Sequence, residues 1–206
     1  MSSRCFDLRR VLVSPIVYSS VMTALGADSG MQRFVREHLR VRPGQRILDL
    51  GCGPGRLYPH LPPMDYCGLD VDAGYLARAR ALYPEARFER QDISTGCPTF
   101  DLRGFDLIVA SGVLHHLPDR AVERALAFCR DGLQTGGRLI TLDCAFGEGQ
   151  NFLSRLLVAH DRGRFVRRGR GYLDLARACF PNATLTIRHD LLRVPYSHAI
   201  VECEKQ

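Results

Sequence analysis

The chain has 206 residues, of which 46% are hydrophobic and 24% charged, with a formal net charge of +6. This composition is ordinary for a soluble globular protein, and at roughly 100–200 residues per domain it predicts a single domain, 1–206, with a substantial core. No apolar run reaches about 18 residues, so no transmembrane helix is expected. The N-terminal "MSSRCFDLRRVLVSPIVYSSVM" carries arginines and an apolar patch. Ser14, Pro15, Tyr18, Ser19 and Ser20 interrupt that patch, and no clean small-residue cleavage site follows, so a secretory leader is not expected. The eight cysteines are scattered, with no C-x-x-C pair and no histidines at zinc-finger spacing. Reduced thiols in a cytoplasmic protein, acting as small hydrophobes, are the simplest reading, and no metal site is expected.

Residues 1–43 hold two plausibly helical stretches, "PIVYSSVMTALG" and "MQRFVREHLRV", which together would form an N-terminal helical cap. After Pro43–Gly44, short apolar runs alternate with helical patterns. Strands are predicted at "RILDLG" (46–51), "DYCGLDVD" (65–72), "ARFERQDI" (86–93), "FDLIVASG" (105–112) and "GRLITLDC" (137–144). Helices are predicted at "AGYLARARALY" (73–83) and "DRAVERALAFCRDGL" (119–133), the latter with Val122, Ala125, Leu126 and Cys129 on one face. Asp119 follows Pro118 as a candidate N-cap, and Gly136–Gly137 would stop the chain before the next strand. Strands alternating with helices imply parallel pairing through right-handed crossovers, with helices on both sheet faces. At the C-terminus, "ATLTIRHD" (183–190) and "SHAIVECE" (197–204) are separated by too short a link for a helical crossover, so they should be antiparallel neighbours. The expected fold is therefore α/β: a doubly wound, Rossmann-like sheet of seven strands, mostly parallel, with a reversed C-terminal strand.

"DLGCGPG" places Gly51, Gly53 and Gly55 between a strand and a helix-like stretch, where glycines permit a tight turn and close approach of a ligand. The dinucleotide fingerprint G-x-G-x-x-G requires a glycine at position 56, which is Arg56 here. Asp49 precedes the loop, Asp70 ends the second strand and Asp92 follows the third. A carboxylate at Asp70 can accept both hydroxyls of a ribose. Three carboxylates around one cleft suit a cationic nucleoside better than a pyrophosphate, and they count against a nicotinamide oxidoreductase.

"ILDLGCGPG", "GLDVDAGYLARARALYP", "RQDI", "FDLIVASGVLHHLPD" and "LQTGGRLITLD" resemble, in order and spacing, the successive motifs of class I S-adenosylmethionine-dependent methyltransferases. The resemblance covers about residues 44–144, the expected cofactor-binding core. It implies S-adenosyl-L-methionine as cofactor and S-adenosyl-L-homocysteine as product. By the same resemblance Gly51, Gly53 and Gly55 line the methionine part, Asp49 orients its amino group and Asp70 holds the ribose. Asp92 would reach the adenine amino group, Ile93 would pack on the ring, and Ser111 and Val113 would lie along the cofactor. Cys52 and Val71 complete the expected binding set.

Methyl transfer from a sulfonium depends chiefly on positioning the nucleophile, with a general base needed only for a protonated acceptor. In open α/β sheets the ligands bind beyond the carboxyl ends of the parallel strands. On that edge the candidates for base or acceptor contact are His115, from "VLHHLPD", and Tyr196 and His198, at the start of the reversed strand. Residues 145–175 place Phe152, Leu156, Leu157 and His160 at helical spacing, and the resemblance implies that this segment forms a lid over the acceptor. Residues 176–206 would hold a helix end and the antiparallel strand pair. The run "DRGRFVRRGRG" is either a solvated basic loop or an anion-binding lip for a carboxylate, a phosphate or RNA. A small-molecule acceptor, anionic or aromatic, is the leading expectation. An RNA or protein methyltransferase using the basic 162–170 segment and a non-methylating S-adenosylmethionine-binding protein are the alternatives, nucleic acid being disfavoured because few aromatics accompany the arginines.

Overall fold

The computed structural model describes residues 25–95, 103–147, 163–194 and 196–206. Its strands are β1 (Arg46–Leu50), β2 (Asp65–Asp70), β3 (Arg87–Arg90), β4 (Phe105–Ser111), β5 (Leu133–Phe146), β6 (Arg167–Arg168), β7 (Thr184–Arg188) and β8 (His198–Glu204). The helices are α1 (Ala27–Phe34), continued by a π-turn over Val35–Leu39, α2 (Ala73–Leu82), α3 (Asp119–Gly132) and α4 (Gly169–Arg177). The expected stretches at 15–24 and 152–160 lie outside the described residues.

The strand order is β3-β2-β1-β4-β5-β8-β7, with the two-residue β6 appended to β5. β1 to β5 pair in parallel. β8 runs antiparallel to both β5 and β7. The mixed α/β sheet with a reversed last strand is thus as expected. The short link between β7 and β8 leaves no length for a crossover, and that alone reverses the strand.

Because side chains alternate along a strand, the sheet has two buried faces. On one, Leu48, Ile108 and Leu139 meet Val122, Leu126 and Cys129 of α3 and Tyr172 and Ala176 of α4. On the other, Ile47, Val109, Ile140 and Ile200 meet Phe34 and Leu39 of the N-terminal helix and Leu76 and Ala79 of α2. Burying each such Leu or Ile is worth about 1.5–3 kcal/mol, so the two helical layers fix which strand residues face which way. Among the described residues five cysteines are buried, and burial pushes the Cys203 thiol up to about 12.

Several boundaries differ from expectation for local reasons. β2 stops at Asp70 because Asp72 caps α2, its Oδ1 accepting from the N–H of Gly74 and of Tyr75. β3 is shorter than the predicted 86–93, since Asp92 turns the chain into a 3-10 turn over Ile93–Thr95. β5 starts at Leu133 and runs through Gly136–Gly137, which were expected to precede it. There Leu133 pairs with Phe105 before a register shift to Arg138 against Leu107. Pro118, not Asp119, takes the N-cap position of α3, and the Asp119 carboxylate instead receives Arg167.

Candidate active site

The glycine loop leaves β1 with Gly51, Gly53 and Gly55 all at positive φ (66°, 54° and 80°), a backbone that side-chain-bearing residues resist. A Cβ on Gly51 would stand 2.4 Å from Val113 Cγ2, so the loop after β1 and the loop after β4 touch at two of the expected cofactor residues. Around Gly53 a Cβ would meet nothing within 4 Å, which leaves an open cradle at the loop's centre. The loop is pinned from below by the Cys52 N–H to the Leu69 carbonyl (3.0 Å). Cys52 itself is buried, which pushes its thiol up.

Asp70 closes the cradle. Its Oδ2 accepts from the Gly53 N–H (2.8 Å) and its Oδ1 from the Asp72 N–H (2.9 Å). A carboxylate oxygen has a second lone pair, so both remain able to receive a ribose hydroxyl. Val71, beside it, exposes 54% of its surface, an unpacked apolar contact suited to a base. The residues therefore fit a nucleoside. Asp92 is exposed and its Oδ1 accepts the Ser94 N–H (2.9 Å), while Ile93 is packed into the core at 9% exposure. Ser111 ends β4, half-buried, and Val113 is 9% exposed.

Asp49 stands within β1, 3% exposed, with its Oδ2 accepting from the Tyr66 hydroxyl (2.7 Å). Burial raises its pKa to about 7, against the Tyr66 hydrogen bond, and the nearby Asp70 charge adds to the rise. A carboxylate so placed gains most from a cationic ligand group.

His115 lies in the 3-10 turn after β4, 6% exposed. Asp143, near the end of β5 and 1% exposed, receives its ring Nδ1 at 2.8 Å and its backbone N–H at 3.2 Å, both on Oδ1. Asp143 Oδ2 has no partner among the described residues. The bond to Asp143 keeps the proton on Nδ1 and the lone pair on Nε2. The ring edge bearing Nε2 is bounded by Cε1, 3.9 Å from where a Gly112 Cβ would stand, and Cδ2, 2.2 Å from where a Gly163 Cβ would stand. Only glycine fits against the ring at 163. The His116 ring lies alongside, tilted by 41°, at 4.1 Å between centroids.

Tyr196 and His198 reach the same sheet edge, since His198 pairs with Cys144, and their rings lie 5.0 Å apart. Directly opposed residues share a face, so His198 shares that of Cys144 and not that of Asp143. The three candidate bases are therefore split between the two faces of the sheet. The arginine run is also split. Arg167 donates to the carbonyls of Leu114 (2.9 Å), Leu117 (2.7 Å) and Phe165 (3.0 Å) and to Asp119 (2.6 Å), which ties β6 to the His115 turn. Arg164, Arg168 and Arg170 are exposed, and Arg162, His160 and Asp161 lie outside the described residues.

Two pairings of this site are not visible from sequence alone, although Asp143 falls on the expected ligand edge. Tyr66 reaches Asp49 only because β2 lies beside β1 in register, and Asp143 reaches His115 only because β5 lies beside β4. A carboxylate inside the apolar run "LITLDC" is the one linear signal that pointed to the second.

A family model for the methyltransferase domain matches residues 47–137. The trans-aconitate 2-methyltransferase of Deinococcus radiodurans is 36% identical over 119 residues, covering 55% of this chain and 43% of the relative. That of Variovorax paradoxus is 41% identical over 78 residues, 36% of this chain and 29% of the relative. The chain thus matches less than half the length of these relatives. A TehB-like S-adenosylmethionine-dependent methyltransferase from Corynebacterium glutamicum superimposes with a TM-score of 0.61 at 25% identity, covering 92% of this chain and 96% of that one. With the glycine loop, the strand-end acids and the reversed last strand in place, residues 47–137 match the methyltransferase domain family, and the sheet is that of the Rossmann-like S-adenosylmethionine-dependent methyltransferase fold.

Proposed function

We propose that this chain transfers a methyl group from S-adenosylmethionine to an O, N or C atom of a small-molecule acceptor, with His115 as the base. The observation that carries the reading is the buried His115–Asp143 pair, 2.8 Å, at the end of β4 beside Gly112 and Val113. Asp49, Gly51, Cys52, Gly53, Gly55, Asp70, Val71, Asp92, Ile93, Ser111 and Val113 form the cofactor side. When bound, S-adenosylmethionine would supply an electrophilic methyl on a cationic sulfur, with S-adenosylhomocysteine as the leaving group for in-line displacement by the acceptor. Gly51 and Gly53 admit the ligand close to the backbone, and Asp70 orients it through the ribose. His115 Nε2 takes the proton from an acceptor hydroxyl or amine as its lone pair attacks, while Asp143 stabilises the resulting imidazolium. Tyr196 and His198 are acceptor contacts on the opposite face.

The acceptor is an acidic small molecule. Arg168 supports this: β6 pairs with Ala145–Phe146, just beyond Asp143, and leaves Arg168 exposed at the ligand edge. Trans-aconitate, named for two relatives, is a compound of that class. A screen of hydroxy- and amino-substituted di- and tricarboxylates against their neutral esters, which keep the hydroxyl or amine and lose the charge, tests it by S-adenosylhomocysteine release. Release with the acids alone is expected. Release only with neutral acceptors, or with RNA, contradicts the reading.

A further inference from the structure

We propose that Tyr66 is a positioning residue for cofactor capture: its hydroxyl fixes the buried Asp49 carboxylate as the anchor for a ligand ammonium group, so the amino-acid end is held only when Asp49 is ionised. The inference rests on the cofactor reading above and adds a residue and a proton to it.

Asp49 lies between Leu48 and Leu50 and shares its sheet face with Ile47 and Val109. On this face the N-terminal helix and α2 contribute the apolar Phe34, Leu39, Leu76 and Ala79. The titratable groups toward Asp49 are the Tyr66 hydroxyl and the Asp70 carboxylate from β2 and the Cys52 thiol from the loop; β4 contributes Val109. None of these is a cation. A buried carboxylate without a counter-charge is costly, and a ligand ammonium would supply the missing charge.

Tyr66 is equipped to aim that carboxylate. It is 4% exposed, and its ring is held edge-on by Tyr58 (5.0 Å) and Phe88 (5.6 Å). Tyr58 leans on Tyr83 (4.9 Å), whose ring also stands 3.0 Å from where a Gly55 Cβ would be. The aromatic stack therefore underlies the glycine loop and fixes the hydroxyl at the same time. With Oδ2 occupied by Tyr66, Oδ1 is the oxygen left to receive a donor. Burial also keeps the Tyr66 hydroxyl protonated, so it remains a donor through the neutral range.

The test is calorimetric titration of the full chain from pH 5.5 to 8.5 with two ligands. S-adenosylhomocysteine has the amino acid; methylthioadenosine has the same nucleoside without it. With Asp49 titrating at about 7, S-adenosylhomocysteine should bind about tenfold more weakly at pH 6 than at pH 8, and methylthioadenosine equally at both. Tyr66→Phe should move the bend in the S-adenosylhomocysteine profile to higher pH and restore most affinity by pH 8.5. Methylthioadenosine affinity should be unchanged in that variant, which a merely structural loss would not spare. A flat S-adenosylhomocysteine profile with methylthioadenosine still bound overturns the proposal and leaves the cofactor reading standing. Equal weakening of both ligands by Tyr66→Phe also overturns it. Binding of neither ligand to the unaltered chain removes the cofactor reading itself.

Discussion

The two halves of the sheet hold their carboxylates in different company. On the β1–β2 side, among the described residues, Asp49 and Asp70 take neutral donors, a tyrosine hydroxyl and two backbone N–H groups. On the β4–β5 side, Asp143 takes an imidazole that can itself become charged. The first half is complete only with a cationic, hydroxyl-bearing ligand. The second already contains a proton carrier and its counter-ion. On the proposed reading one half binds and the other performs the chemistry, and substitutions that separate the two functions can break that reading.

The largest separation should come from the chemical half. His115→Gln should lower turnover by about 10²–10⁴-fold, the usual contribution of a general base, while leaving S-adenosylhomocysteine affinity within a few-fold. Asp143→Asn should follow it in direction, because the imidazolium loses its counter-ion. If His115→Gln keeps full turnover on a hydroxyl acceptor, the base lies elsewhere, and His198 on the other face becomes the candidate.

On the binding half, Asp70→Ala removes two ribose acceptors and the acceptor of the Gly53 N–H. Loss of charged hydrogen bonds of this kind costs about 1.5–3 kcal/mol each, so calorimetric affinity should fall by roughly 100-fold or more. An unchanged affinity would remove Asp70 from the ribose.

The smallest effects sharpen the comparison at the edge between the halves. Arg167→Ala removes a donor from Asp119 and from three carbonyls, of which Leu114 keeps the Leu117 N–H, and the Arg167 side chain is only 11% exposed. A stability loss of about 2–3 kcal/mol, visible as a lower Tm, is expected. Arg168→Ala, exposed one residue on, should leave Tm unchanged and raise KM for an anionic acceptor alone. Equal Tm losses in the two variants would mean that Arg168 also braces the turn.

Much of the binding half is legible in linear sequence because its chemistry is local. Three glycines, Asp49 before them and Asp70 at the next strand end lie in one short stretch, and each needs only its strand to be placed. The β7–β8 reversal is likewise forced by a short link. What escapes a linear reading depends on register between strands. Leu133 joins β5 ahead of two glycines because Phe105 is there to pair with it. Arg167 looks like one more charge in a basic run, yet 48 residues separate it from the Asp119 it holds. His115 and Asp143 stand 28 residues apart, and Asp49 and Tyr66 17, so neither pair has a spacing signature.

The central claim, that β1–β2 binds the cofactor while β4–β5 performs the chemistry, is tested most directly by titrating S-adenosylhomocysteine into the unaltered chain, Asp70→Ala and Asp143→Asn side by side. The account predicts saturable binding to the unaltered chain and to Asp143→Asn within a few-fold, and a loss of about 100-fold in Asp70→Ala. Equal losses in the two variants, or full binding in Asp70→Ala, would contradict it.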